Sequence, residues 1–104
     1  MIVSTLETLP EREVTEILSV VRGNSVRARH VGRDVVAGLK NIIGGEIHEY
    51  AQLQAETREQ AHRRMVDQAE VVGADAVLGV RYMTSMITSG ASEILAFGTA
   101  VRLS

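Results

Sequence analysis

The sequence contains no cysteine and one proline, and aromatic residues make up only 3% of its 104 residues. The absence of cysteine excludes disulfides, thiolate nucleophiles and cysteine-based zinc or copper sites. Because aromatics are scarce, the core must be built from Val, Ile, Leu, Ala and Met. The length fits one domain, and we predict a single domain over residues 1–104.

A strong charge of either sign is also absent, since 11 basic and 13 acidic residues give a net charge of -2. Nucleic-acid binding normally shows as a basic patch, so we predict no nucleic-acid partner. No apolar run is long enough to span a membrane, and Met1–Glu7 lacks the basic and apolar segments of a signal peptide. We therefore expect a cytoplasmic protein without a membrane partner.

The stretch from Gly44 to Asp75 predicts one long helix, with Gly44-Gly45 as a hinge before it and Gly73 as its stop. At about 100° per residue, one stripe is apolar: Ile47, Tyr50, Ala51, Ala61, Met65, Ala69 and Val72. The charged residues fall opposite: Glu49, Glu56, Arg63, Asp67 and Glu70. The helical part of this stretch has about 26 residues and is therefore about 39 Å long, whereas a compact domain of this size has a radius of gyration of about 13 Å. We expect the helix to span the domain or project from it, with neighbouring subunits covering its apolar stripe.

The rest of the chain predicts mainly sheet. Strands are expected over Ile2–Leu6, Thr15–Val21, Asp75–Ile87 and Glu93–Leu103. Between them we expect a turn at Arg22–Ser25, a second ribbon at Val26–Val31, a short helix over Gly32–Ile43 and a hairpin connection at 88–92. Alternation places Ala76, Leu78, Val80 and Tyr82 on one face, and it makes Gly79, Ala96, Gly98 and Ala100 a small-residue surface for the helix. The predicted fold is α+β, with a mainly antiparallel sheet packed on one long helix.

Four segments carry a family resemblance: Gly44-Gly45-Glu46 with Tyr50, Arg58-x-x-Ala61-x-x-Arg64-Met65, Gly73-Ala74-Asp75-Ala76-Val77-x-Gly79-Val80-Arg81-Tyr82, and Gly98-Thr99-Ala100-Val101. Together they resemble the YbjQ-like family of small bacterial and archaeal proteins, which carries a heavy-metal-binding label. The resemblance implies a YbjQ/dodecin-like subunit that assembles as a ring-like homopentamer. It supplies no mechanism, and no cysteine supports the metal label here.

Arg58 interrupts the apolar stripe, as Gln54 does, and a charge on a buried face must be paired or reach solvent. One interpretation is an anion site at a subunit junction, which Arg64, Arg81 and Tyr82 would help to line. The predicted ligand-binding residues are then Arg58, Arg64, Arg81, Tyr82 and Glu46. The alternative is structural: Arg58 pairs with Glu46, Asp75 or Glu93, or its long side chain extends out to solvent. In this alternative Arg81, which is expected to share a strand face with Val77 and Met83, makes an edge or subunit contact.

Glu59 and His62 have the Glu-x-x-His spacing of di-iron bundles, but the further inward carboxylates of that template are missing. They are the metal candidates in a second hypothesis, divalent-metal binding. A third hypothesis is an enzyme whose site forms between subunits, with Tyr82 or Glu93 as acid or base. No Ser, His and Asp are spaced as a nucleophilic set, and no phosphate-binding loop surrounds Gly44-Gly45. The sequence favours a non-enzymatic homo-oligomeric binding or assembly module. It does not indicate a cofactor. The ligand could be a small anion, a polar molecule or a metal.

Overall fold

The computed structural model describes residues 1–28, 48–88 and 91–104. It contains β1 (Ile2–Val3), β2 (Val14–Ala28), α1 (His48–Val71), β3 (Ala76–Thr88) and β4 (Ala91–Leu103). The strands form one sheet in the order β1-β3-β4-β2, in which β1 runs parallel to β3 and the other pairs are antiparallel. The predicted short helix over Gly32–Ile43, the Gly44-Gly45 hinge and the end of the Val26–Val31 ribbon lie outside the described residues.

The helix ends where its glycine predicts. Gly73 has a φ of 79°, which an L side chain rarely adopts. Its N–H donates to Glu70 O at 3.0 Å, and the Ala74 N–H donates to Ala69 O at 3.0 Å. This pair of bonds is the Schellman motif, which satisfies carbonyls at the end of a helix. In the part of the chain that is described, no helix is long and apolar enough to cross a membrane.

One face of α1 packs on the sheet through residues four apart along the chain: Thr57, Ala61, Met65 and Ala69 are fully buried. Ala61, Met65 and Ala69 confirm part of the predicted stripe, and the charged residues predicted opposite them that the structure describes are exposed. Arg58 is exposed, so its predicted place on a buried face is wrong for this chain. The reason is that Thr57, four residues before Ala61, takes the buried position.

β2 runs unbroken through the turn predicted at Arg22–Ser25, which is therefore wrong. Gly23 is buried in the strand because the helix backbone passes directly over it. A Cβ atom at Gly23 would overlap the carbonyl O of Ala61 and the backbone N of Met65. This glycine thus marks a close helix–strand approach rather than a turn.

A β-bulge at Gly79 changes which side chains share a face of β3. Gly79 has a φ of 62°, and the pairing with β4 shifts between Leu78 and Arg81. Val77 and Val80 lie in the core under the helix, whereas Leu78 lies in a second cluster on the opposite face. The prediction that Leu78 and Val80 lie on the same face of the strand is therefore wrong, because the bulge places one extra residue in the strand.

The chain is elongated, as the length of the predicted helix indicates. The radius of gyration is 17.2 Å and the principal extents are 53 × 23 × 16 Å. A compact domain of this length would have a radius of gyration of about 13 Å. The buried core lies around Val77, Met65 and Ala100, and the sheet continues well beyond it.

Candidate functional site

Polar side chains attach the helix to β2 along one flank. Arg64 Nη1 donates to the Asn24 carbonyl O at 2.7 Å. One turn further on, Gln68 Oε1 accepts from the Arg22 backbone N–H at 2.7 Å. Positions four apart lie on one side of a helix, so this flank is committed to holding β2. Arg64 has a structural partner here.

On the opposite flank, beside β3, His62 meets Tyr82. The distance from His62 Nδ1 to the Tyr82 hydroxyl is 2.7 Å, and the two rings stack with centroids 6.2 Å apart and an interplanar angle of 19°. A neutral imidazole that accepts a hydrogen bond from the phenol O–H at Nδ1 carries its own proton on Nε2. This flank therefore presents an oriented histidine and a tyrosine beside each other.

The electrostatic surroundings of Tyr82 raise the pKa of its phenol above the ordinary value of 10.0. Partial burial raises the pKa of Tyr82, the charge of Glu59 raises it further, and the charge of Arg58 lowers it. Arg58 and Glu59 are thus close enough to act on the tyrosine. Of the predicted ligand-binding residues, the structure brings Arg58 and Tyr82 to one flank.

Arg81 lies elsewhere. Its Nη1 donates to Thr5 O at 3.0 Å and to Val80 O at 2.8 Å, which ties the segment after β1 to β3. Arg81 pairs with Phe97 of β4, and Leu78 pairs with Thr99. Phe97 and Thr99 are two residues apart and therefore lie on the same face of β4. Arg81 and Leu78 consequently share the face of the sheet that points away from the helix. The prediction that Arg81 shares a face with Val77 is wrong because of the bulge at Gly79.

The predicted ligand-binding residues are therefore not one cluster within a single chain. Arg64 holds β2, Arg81 holds the segment after β1, and Glu46 lies outside the described residues. Two of the three partners predicted for Arg58, Asp75 and Glu93, are bonded elsewhere. Asp75 accepts from the Leu103 N–H at 2.9 Å, and Glu93 accepts from Asn24 Nδ2 at 3.2 Å.

Sequence reasoning finds His62 and Tyr82 separately but does not find their contact. The two residues are 20 positions apart and belong to a helix and a strand. The contact between the two side chains depends on the position of α1 along β3. The residue spacing within a single helix or strand does not predict that position. The sequence feature that bears on this contact is Gly73. The Schellman motif at Gly73 ends α1 and turns the chain back, so that the last turns of the helix lie over the first residues of β3.

A polar layer separates the first half of the helix from the sheet. Thr57 and Ser25 are buried at 0% and 1% exposure. Ser25 Oγ bonds Gln60 Oε1, and Gln54 Nε2 donates to Ser92 Oγ at 2.8 Å. The Oε1 atom of Gln54 is buried with no hydrogen-bond partner. The helix is thus held by apolar packing in its second half and by side-chain hydrogen bonds nearer its start.

The outer half of β3, Arg81–Thr88, is called the β3 arm here. All eight of its residues are exposed, including Tyr82 at 43%, Met83 at 59%, Met86 at 81% and Ile87 at 57%. β1 ends at Val3, and the backbone bonds from the segment after it reach no further than Val80. Among the described residues, β4 is the only strand that pairs with the arm.

A second apolar surface, called the β2 groove here, lies at the other end of the sheet on the face away from the helix. Its volume is about 400 Å³, and it is lined by Glu7, Val14, Ile17, Leu78, Gly79, Thr99 and Val101. Ile17 is 72% exposed at its rim. The groove is apolar apart from Glu7 and Thr99, which gives it few groups to orient a polar ligand.

Metal ligands are sparse on the described surface. No group of three or more His, Cys, Asp or Glu side chains that could hold a metal ion occurs in residues 1–28, 48–88 and 91–104. Glu59 and His62 are one turn apart, and Nδ1 of His62 is engaged by Tyr82. The described part of one chain therefore does not form a complete metal site.

In the described residues, these features define a two-layer α+β fold, with one long helix on one face of a mixed four-stranded sheet. The YbjQ family model, whose description reads "Putative heavy-metal-binding", matches residues 1–104, and the chain belongs to this family. A UPF0145 protein from Archaeoglobus fulgidus is 57% identical over 103 residues, 99% of this chain and 95% of the relative. A UPF0145 protein from Vibrio campbellii is also 57% identical, over 99% of both chains. The Thermus thermophilus UPF0145 protein is 50% identical over 99% of this chain and 90% of its own.

A solved structure confirms the fold. A protein of unknown function of the DUF74 family from Pediococcus pentosaceus superposes with a TM-score of 0.72. It is 14% identical, and the match covers 100% of this chain and 98% of that chain. This likeness supports the order of the elements and their packing.

Proposed function

We propose that this chain is the subunit of a homo-oligomeric binding or assembly module, with the β3 arm at the contact between subunits. The observation that carries the proposal is the exposed apolar edge of the arm. Soluble proteins protect free sheet edges with lysine, proline, bulges or a covering element. Beyond Arg81 the arm has no charged residue and no proline, and it carries two methionines and an isoleucine.

A neighbouring copy would cover this edge and remove its apolar surface from water. The family resemblance makes a ring of five subunits the expected arrangement. Head-to-tail contacts close into such rings when the rotation between subunits permits. The elongated shape of the chain fits this proposal, because a subunit that projects beyond its own core needs a neighbour to bury the projecting part.

The proposed ligand is a small anion or polar molecule bound at the junction between subunits. Arg58, His62 and Tyr82 lie on the flank that adjoins the arm, so a neighbour on the arm would enclose them. Arg58 would supply the positive charge, and Tyr82 and His62 would supply hydrogen-bond groups. Arg64 and Arg81 have structural partners in this chain and are assigned to holding the fold.

Native mass spectrometry of protein purified without added metal or chelator tests both parts. We expect a multiple of the subunit mass, and a reproducible added mass per subunit if the ligand is retained. A monomer in the native protein would overturn the proposal. Arg58→Ala is expected to lose the added mass while the oligomer persists, and an unchanged added mass would remove Arg58 from the site.

Divalent-metal binding is the second candidate, favoured by the description of the family and by one contact. Metal-ligating histidines typically donate their other ring N–H to a hydrogen-bond partner. In the tautomer with its proton on Nδ1, His62 would donate to the Tyr82 hydroxyl and leave Nε2 free for a metal. Because Glu59 and His62 supply only two ligands, a neighbouring copy would have to supply others. The Glu59→Ala, His62→Ala double variant should lose bound metal in elemental analysis. Stoichiometric metal that persists in the variant would reject these ligands.

A further inference from the structure

Among the described residues, two apolar surfaces that no other element covers lie at opposite corners of the sheet. Ile17, in the β2 groove, is paired with Val101 of β4, and Met86, in the β3 arm, is paired with Ser92 of the same strand. Nine residues of extended β4 separate these two pairings, which is about 30 Å at about 3.3 Å per residue. The arm therefore cannot reach the groove of its own chain.

The two surfaces are suited to each other in chemistry. The groove exposes Val14 at 39% and Ile17 at 72%, beside the buried Leu78 and Val101, and a Cβ atom built on Gly79 meets nothing within 4 Å. The arm presents Met83, Met86 and Ile87. Methionine adapts its shape to irregular apolar surfaces, and burying both surfaces removes apolar area from water on each side.

We propose that the β2 groove receives the β3 arm of a second copy of this chain. The inference rests on the proposed function and deepens it, because it names the acceptor surface for the arm. An arm that enters a different surface makes a head-to-tail contact, and each copy then uses its arm once and its groove once. The junction repeats around a ring until the ring closes.

A complementation experiment tests this arrangement. Met86→Glu places a charge on the arm, and Ile17→Glu places one in the groove. Both positions are more than two-thirds exposed in one chain, so each variant is expected to fold. Val71→Glu is the matched control, since Val71 is an exposed aliphatic residue at 86% on α1, outside both surfaces.

Each variant alone should be monomeric by native mass spectrometry, and the control should assemble like the native protein. Mixed one to one, the two variants should form a heterodimer that goes no further, because one intact arm meets one intact groove. Absence of a heterodimer would overturn the head-to-tail pairing. If Ile17→Glu assembles normally while Met86→Glu is monomeric, the groove is rejected as the acceptor of the arm, but the proposed oligomer is not contradicted. Normal assembly of both variants would reject both proposals.

The lack of cysteine permits a direct cross-linking test. A disulfide needs Cα atoms within about 7 Å, so the Ile17→Cys, Met86→Cys double variant cannot cross-link within one chain. Oxidation should produce a ladder of covalent oligomers that ends at the size of the closed ring. The Val71→Cys, Met86→Cys variant is the control, and a ladder no stronger than that control would overturn the contact.

Discussion

The two halves of β3 carry similar side chains in opposite surroundings. Val77, Leu78 and Val80 are buried between the helix, β1 and the segment before β2, whereas every residue from Arg81 to Thr88 is exposed. Both halves pair with β4 in the same sheet. The difference is that the first half has neighbours on its outer edge and on both faces. The apolar composition of a strand therefore predicts that its side chains must be buried. The elements packed around the strand determine whether the same chain buries them.

The largest expected effect compares two methionines from the two regions. Met65→Ala removes a fully buried side chain from the core, and we expect it to lower the free energy of unfolding by about 2–5 kcal/mol. Met86→Ala, at 81% exposure, should change the stability of the dissociated subunit by less than about 0.5 kcal/mol. Urea unfolding under dissociating conditions measures both. Equal losses would contradict the division of the sheet into a covered and an uncovered half.

Gly23 lies where the covered half of the sheet meets the uncovered half. Gly23→Ala would place its Cβ against the backbone of Ala61 and Met65, so the helix must move away from β2. We expect a loss of about 1–3 kcal/mol from overpacking. Val20→Ala, on the same strand at 60% exposure, is the control and should cost much less. Thermal unfolding followed by circular dichroism measures the difference, and an unchanged midpoint for Gly23→Ala would contradict the close approach.

The bulge at Gly79 ends the covered half and turns the strand toward its exposed half. Gly79→Ala meets no steric obstacle, so its cost is that of a left-handed backbone for an L side chain. That cost is about 1–2 kcal/mol. Gly79→Asn should lose less, because asparagine tolerates this conformation better. Chemical denaturation of the two variants ranks them, and a smaller loss for alanine than for asparagine would show that φ is not what selects glycine here.

Periodicity predicts much of the covered region but little of the site. Ala61, Met65 and Ala69 follow from helical spacing, and the stop at Gly73 follows from the demand for a positive φ. The bulge at Gly79 and the burial of Gly23 do not follow, because a glycine serves turns, bulges and close approaches alike. The separation of Arg58, Arg64 and Arg81 depends on the packing angle of α1 and on that bulge, which no local pattern contains.

The smallest expected effect concerns the contact of Tyr82 with His62, where the arm begins. The pKa of Tyr82 is raised from 10.0 in the folded chain, chiefly by burial. The unfolded chain therefore releases this proton at a lower pH than the folded chain. The stability that Tyr82 contributes is thus complete below about pH 10 and declines as the pH rises through the folded pKa.

Tyr82→Phe should remove this decline and cost at most about 1 kcal/mol at neutral pH, because the hydrogen bond is partly exposed. Denaturant unfolding of the native protein and of Tyr82→Phe at a series of pH values measures the difference. If a neighbouring copy covers this flank, the decline should shift to higher pH in the assembled protein than in the monomeric Met86→Glu variant, since greater burial raises the pKa further. The same profile in both would place Tyr82 outside the subunit contact.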